Sequence, residues 1–482
     1  MIMGGVNITL RVITMVSSVL LMNVLDVDDF GIMGTAMIVL YTTNLFAGLG
    51  LTSALIQSQA NRAQVAFQSF LVTSGVGVLL FVIIYLNVDT FAALLGKPAI
   101  APILVWLAPL VIIGGLGMIP DALMQKQMMF SRISLIVIVS EFTYIGMAVG
   151  LAYAGYGLWS LVYAILTKSL LVLILGWILT PGWEWITPRP WDGALMKRLL
   201  SFGLQSTGGG IATFIYSLID VTAVARWLGT TQLGFYQKSF DFTSRTVDGL
   251  NGVLGSVLLP SYVLIQADSE RLSRAYLKSL RLISFIIVPV ALGMLIVAPE
   301  MVATFLEPRW EPMVIPFQVL CVASMIKPLS ATTSVLFTST GKPGYNLKAG
   351  IVVILVLVPM IVLLLPYGIV GVAFAVLTAQ LLGFAYNIYQ VGLVLDRTAS
   401  RMPAAIAPSL VAAGLMLAGV MAMKAILSQF GIVLATIPAV IVLVAGGGIV
   451  YSVVLYLMQR NLVREVVGLA LTRFRPNAAH SS

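Results

Sequence analysis

Lys238, Asp241, Arg245 and Asp248 follow one another at spacings of three, four and three residues. On a helix, at about 100° per residue, these four side chains share an arc of roughly 80°. Such a stripe suits two chemistries. It is either a ladder of successive salt bridges that neutralises itself and holds two helices together, or the polar wall of a cavity that offers basic groups to an anionic ligand. The neighbouring Asn251 and the glycines Gly249, Gly252 and Gly255 favour the second, because a structural ladder does not need them.

The elements that carry the stripe are hydrophobic. Of 482 residues, 60% are hydrophobic and 9% charged, whereas a soluble globular chain carries roughly a quarter charged residues. Apolar runs of about twenty residues recur along the chain, each long enough to cross a hydrocarbon core of roughly 30 Å as a helix. Runs such as Ile351 to Leu365 do not alternate as barrel strands would. The fold class is therefore all-α integral membrane protein.

A charge at mid-membrane costs about 2.5 to 3.5 kcal/mol on insertion scales, so it faces a partner or a water-filled cavity. Arg11, Lys168, Lys238, Arg245, Lys327 and Lys424 fall inside apolar spans, against Glu141, Asp241 and Asp248. The interior is net positive. Arg11 and Arg245 come from opposite halves of the chain, and two guanidiniums facing one another would give the bidentate donors that a pyrophosphate wants. Snorkelling to the headgroups is the other reading of Arg11. The candidate substrate-binding residues are Arg11, Lys238, Arg245 and Asn251. For ion coupling the candidates are Asp241, Asp248 and Glu141, the last also suited to a structural pair with Lys168. Lys424 reads as a snorkelling end residue. Lys327, before Pro328, suits either a broken helix or packing. One cysteine, Cys321, and one histidine, His480, leave no disulfide, metal cluster or histidine base, so no catalytic residue, metal or cofactor is expected.

Hydropathy places fourteen spans, near 2–25, 30–51, 67–87, 101–119, 133–153, 158–179, 199–219, 233–257, 281–299, 313–336, 347–365, 368–394, 403–427 and 432–457. The run from Ile2 to Leu25 lacks a basic leader and reads as a first span. Segments between even and odd spans and the C-terminal tail hold 18 Lys and Arg, counting Arg281 and Lys348 at span edges, while the opposite loops hold Lys97, Arg226 and Arg309. Both termini are thus expected to be cytoplasmic. No loop is large enough for a folded domain. The longest carries Trp183, Trp185, Trp191 and three prolines and reads as an interfacial belt. After Leu457, Arg460, Arg464, Arg473 and Arg475 interleave with apolar residues, as in a surface-lying segment.

The chain also repeats itself. Phe30-Gly31 matches Leu233-Gly234, Ala92 to Leu95 matches Ala303 to Leu306, and Tyr156-Gly157 matches Tyr367-Gly368. Six spans per repeat is even, so the copies share one orientation about an axis along the membrane normal. The expected organisation is an N-lobe over 1–180, a C-lobe over 199–395, two further spans over 403–458 and a cytoplasmic tail over 459–482.

Several short stretches, in order and spacing, carry a resemblance. They are Phe30-Gly31 with Gly48 to Gln57; Asp220, Arg226 to Gly229 and Leu233 to Tyr236; Leu258-Leu259-Pro260; Leu272 to Leu282; Ala298-Pro299-Glu300; Arg309 to Pro312; and Leu365 to Gly368. Over nearly its whole length the chain resembles the polysaccharide transporters, the Wzx-type oligosaccharide flippases of the superfamily that includes MATE drug exporters and the lipid II flippase. That family commonly has a basic residue near the end of span one, where this chain has Asn23 followed by Asp26, Asp28 and Asp29. Asp220 and Arg226 flank a tight outer turn and suit a structural ion pair as well as a transport role.

The resemblance implies a cavity lined by spans one, two, seven and eight. It also implies alternating-access flipping of a polyprenyl-pyrophosphate-linked oligosaccharide across a bacterial inner membrane for polysaccharide export. Expected partners are that substrate, membrane lipid, a polysaccharide polymerase and glycosyltransferases, and not nucleic acid. A drug or cation antiporter is the alternative, which a net-positive interior disfavours. A polytopic oligosaccharide polymerase or ligase is another, which short outer loops disfavour.

Overall fold

A computed structural model describes the backbone of residues 2–58, 61–396 and 398–460, and the side chains among them outside 2–12, 44–47, 57, 184, 204–215, 217, 245–257 and 260. All elements among the described residues are helices. They are α1 (Ile2–Val24), α2 (Val27–Ala47), α3 (Leu51–Gln57), α4 (Arg62–Leu86), α5 (Val88–Leu94), α6 (Ala101–Leu107), α7 (Pro109–Lys126), α8 (Phe130–Tyr153) and α9 (Trp159–Leu179). The chain continues through α10 (Gly193–Ala223), α11 (Thr230–Val263), α12 (Ser269–Phe305), α13 (Val314–Ser339), α14 (Gly344–Leu364), α15 (Gly368–Val394), α16 (Met402–Gln429) and α17 (Ile437–Met458). Among the described residues nine helical stretches are long and apolar enough to cross a membrane, and one of them, Gly344–Val394, contains both α14 and α15.

Polar residues between the apolar runs start these helices. Asn61 Oδ1 accepts from the N–H groups of Ala63 and Gln64 at 3.1 and 3.3 Å, Asp192 Oδ1 from Leu195 at 3.0 Å, and Asp268 Oδ1 from Arg271 at 2.9 Å. Each satisfies donors that a first helical turn leaves open. Of the acids after α1, Asp29 works in a similar way and Asp28 ties the turn to α11. Asp29 Oδ2 accepts from the Asp26 N–H at 3.2 Å, and Asp28 Oδ1 accepts from the hydroxyls of Thr230 and Thr231 at 3.0 and 2.5 Å. In α12 the helix runs well past its hydropathic span at both ends, beginning with an exposed turn where Arg274 pairs with Glu270.

The fold divides into two units. Unit 1 takes the residues up to Arg245 together with Val353–Val376, and unit 2 takes the remainder. In unit 1, Ile103, Leu104, Leu107, Val111 and Val162 form one buried cluster and Leu51, Leu55, Val65, Ile119 and Leu123 another. Helices α4 and α7 approach closely where a Cβ on Gly115 would meet the Thr73 carbonyl, and Thr73 Oγ1 donates to Gly115 O at 3.2 Å. Small residues allow this contact in a bilayer, where packing and hydrogen bonds drive helix association.

Unit 2 is built around α12, against which α13, α16 and α17 bury Tyr276, Leu280, Leu336, Phe337, Met416 and Leu443. Tyr276 OH lies 2.8 Å from Thr333 Oγ1, and Tyr451 OH donates to Phe285 O at 2.9 Å. Lys424 corrects one expectation, because it does not snorkel. Its Nζ is 2.7 Å from Glu300 and 2.5 Å from Ile296 O, with side chains only 18% and 11% exposed. Hydropathy assigns Glu300 to a loop, whereas α12 continues to Phe305 and carries it alongside α16. Once paired and hydrogen-bonded, a buried charge has no need to reach for water.

Candidate functional site

A cavity of about 150 Å³ in unit 1 gathers residues of α1, α2, α8, α9 and α11. From α11 come Gln237, Lys238 and Asp241; from α1 come Thr14, Ser17 and Ser18. The Lys238 ammonium lies 4.0 Å from the centre of the Phe30 ring and 3.5 Å from Ser18 Oγ. A ring face and a hydroxyl are among the contacts that hold the ammonium at the wall. Gln237 Oε1 is enclosed, has no hydrogen-bond donor, and packs against the open face of Gly34. Gln237 thus brings a carboxamide to the lining, and Lys238 is a donor of the kind that suits a phosphate or carboxylate.

Of the residues singled out in the sequence, the structure places Lys238 and Asp241 together on the cavity wall. Arg11, Arg245, Asp248 and Asn251 lie outside the residues whose side chains are described. Glu141 does not line the cavity; it forms an ion pair with Lys168. Lys168 in turn sits 5.4 Å from the ring centre of Tyr144, which does line it. The pair is therefore one ring behind the wall. Sequence reasoning passed over Thr14, Ser17, Ser18, Tyr41, Tyr144 and Gln237, all on the lining. Thr14, Ser17 and Ser18 are spaced at i, i+3 and i+4 in an apolar helix, a polar stripe that the period of 3.6 could have revealed.

Glycines hold the helices around this cavity. A Cβ on Gly31 would collide with the Thr230 carbonyl, and a Cβ on Gly234 with the Val27 carbonyl. Val27 opens α2 four residues before Gly31, and Thr230 opens α11 four residues before Gly234, so the contact is reciprocal. Beyond the last turn of α2, Gly50, at φ 70°, packs backbone to backbone on Gly203 of α10.

Asp220 and Arg226, which suit an ion pair or a transport role, each make contacts beyond the turn they flank. Asp220 is buried and accepts from Tyr236 OH at 2.6 Å. Through the π-helical turn Val224–Leu228, Arg226 turns the other way, its Nη1 lying 3.0 Å from where Gly96 would carry a Cβ. Lys97 reaches back to 3.5 Å from the corresponding point on Gly229.

The polysaccharide biosynthesis protein family matches residues 20–315, well over half of the chain. The chain belongs to that family. Its relatives include a membrane protein of the cps region of Klebsiella pneumoniae, 26% identical over 78% of this chain and 77% of the relative. The succinoglycan biosynthesis transport protein ExoT of Rhizobium meliloti is 24% identical over 95% of this chain and 92% of its own. Among solved structures, the lipid II flippase MurJ in an inward closed conformation superposes with a TM-score of 0.76 at 14% identity, covering 96% of this chain and all of that one. That likeness shows a shared fold. With the apolar helices above, the family makes this a multi-pass membrane protein of polysaccharide biosynthesis.

Proposed function

We propose that the chain moves a polyprenyl-pyrophosphate-linked oligosaccharide across a bacterial inner membrane for polysaccharide export, by alternating access and without itself catalysing a reaction. The observation that carries this reading is the unit 1 cavity, where Lys238 and the acceptor-bearing Gln237 share a wall with helix hydroxyls. Cation and acceptor together match a phosphorylated sugar better than a cationic drug. At about 150 Å³ the cavity is smaller than the roughly 300–1,000 Å³ of a pocket that encloses a small ligand, so the cycle must widen it. On this reading the glycine contacts at the two ends of α2 are the parts that open in turn.

In this proposal fourteen spans put both termini in the cytoplasm. Two parallel six-helix repeats, over 1–180 and 199–395, rock about the cavity with the spans over 403–458 outside the repeat. The reciprocal pairing of Gly31 with Thr230 and Gly234 with Val27 supports the repeat, since related segments meeting on an axis make reciprocal contacts. Lys238, Arg11, Arg245 and Asn251 would bind the substrate, and Asp241, Asp248 or Glu141 would couple an ion. The polyprenyl chain stays in lipid, and glycosyltransferases and a polymerase act before and after.

A deletion strain tests this. The lipid-linked oligosaccharide should accumulate on the cytoplasmic leaflet while its synthesis continues. Normal surface polysaccharide, or loss of the precursor itself, would sink the proposal.

A further inference from the structure

Away from the cavity, unit 1 holds a second pocket of about 440 Å³ between the start of α4, the turn joining α7 to α8, and the loop after α9. Its polar lining is Asn61, Arg62, Gln127 and Arg189, and among the described lining residues none is acidic. We propose that this pocket binds the headgroup phosphate of an anionic membrane lipid. The inference rests on the membrane-embedded fold and is independent of which substrate is transported.

Four observations support it. Two guanidiniums line one pocket, and planar guanidinium forks are the side chains best matched to phosphate oxygens. The Arg62 fork lies against the Gln127 carboxamide, which accepts from both of its terminal nitrogens when the amide is assigned with its oxygen toward them. Arg189 Nε is enclosed and has no hydrogen-bond acceptor, a costly state for a cationic donor unless a ligand supplies the oxygen. Arg62 also begins α4, whose positive dipole end favours an anion, although Asn61 already occupies the N–H groups of Ala63 and Gln64. The helix end thus adds charge, and the arginines supply the donors.

The pocket is also prebuilt and at the right depth for a lipid. Gln64 Nε2 donates to Pro190 O at 2.5 Å and Arg132 Nη1 to Leu179 O at 2.5 Å, which pins the loop at both ends. At its rim Trp185 is buried against Phe70 and Trp177, ring centres 5.5 and 5.6 Å away, while Trp183 is 61% exposed. Tryptophans that are half packed and half open belong at headgroup level. A lipid can reach such a rim from the bilayer, which is why a headgroup and not a soluble phosphate is the assigned occupant.

The test uses the full chain purified in detergent, with phosphatidylglycerol, phosphatidylcholine, inorganic phosphate and pyrophosphate as probes, read by native mass spectrometry and thermal unfolding. Phosphatidylglycerol should bind and raise the melting temperature more than phosphatidylcholine or either soluble anion. The double variant Arg62→Gln, Arg189→Gln should weaken that binding roughly tenfold or more, in line with the loss of charge-assisted bonds. A control, Arg271→Gln with Arg274→Gln, two exposed residues near the start of α12, should bind as the wild type does. If the double variant does not purify, Arg189→Lys takes its place, since it keeps the charge and loses the fork; its binding should fall several-fold. Wild-type phosphatidylglycerol binding in whichever variant is measured overturns the site. Equal stabilisation by inorganic phosphate or pyrophosphate overturns the lipid as its occupant.

Discussion

Valine at Gly31 or at Gly234 is expected to abolish polysaccharide export while leaving the protein in the membrane. Neither position has room for a Cβ, because the carbonyl of the opposite helix's first turn already stands there. A backbone atom cannot rotate away, so α2 and α11 must part. Overpacking of this kind costs about 1–3 kcal/mol or more, enough to shift a two-state equilibrium by roughly fivefold to more than a hundredfold. A cross-link reports the shift. Asp28 and the Thr231 hydroxyl are 2.5 Å apart, so Asp28→Cys with Thr231→Cys should be bridged by a short bis-thiosulfonate reagent through reducible disulfides, and the one native cysteine, Cys321, is buried. The cross-link should stop export until reduced, and adding Gly31→Val should lower its yield severalfold. Undiminished cross-linking and export in Gly31→Val would show that this contact does not govern the cycle.

The second large effect is expected at Lys238. Its ammonium is held at the cavity wall by a ring and a hydroxyl. Replacing it by alanine removes the cation from the wall. Loss of a hydrogen bond to a charged group is worth about 1.5–3 kcal/mol, so export should fall by roughly tenfold to a hundredfold with membrane levels near normal. Lys238→Arg should restore part of it. If protein abundance and export fall together, the stripe is a structural ladder. Asp241→Asn extends the test to energy coupling. Should Asp241 take up the driving ion, that variant loses its response to an imposed pH or sodium gradient, and an unchanged response removes Asp241 as the coupling group.

Much of this was legible in the sequence, and the failures have physical causes. Length and hydropathy give the helices because a bilayer demands long apolar runs, and the spacing of Lys238 and Asp241 gives a shared face because helical period is fixed. Partners are harder. Lys424 looked like an end residue because hydropathy averages over a window and stops where charge begins, whereas α12 carries Glu300 on as regular helix. Asp26, Asp28 and Asp29 stand out in the sequence only as acids where the family commonly has a basic residue. They start α2 and tie it to α11, contacts between segments some two hundred residues apart that no local pattern encodes. Gly31 and Gly234 were visible as a repeat, but that they face one another's helix was not.

The most direct test of the central claim is translocation by the purified protein in sealed vesicles. A polyprenyl-pyrophosphate-linked oligosaccharide carrying a labelled sugar is placed in the bilayer, and a membrane-impermeant enzyme removes the label from the outer leaflet alone. With the wild-type chain present, the protected inner pool should become accessible over time, and it should stay protected in vesicles without protein or with Lys238→Ala. An inner pool that stays protected from the wild-type chain under every imposed pH, sodium or electrical gradient, while the same vesicles exchange a cationic drug, would contradict the account.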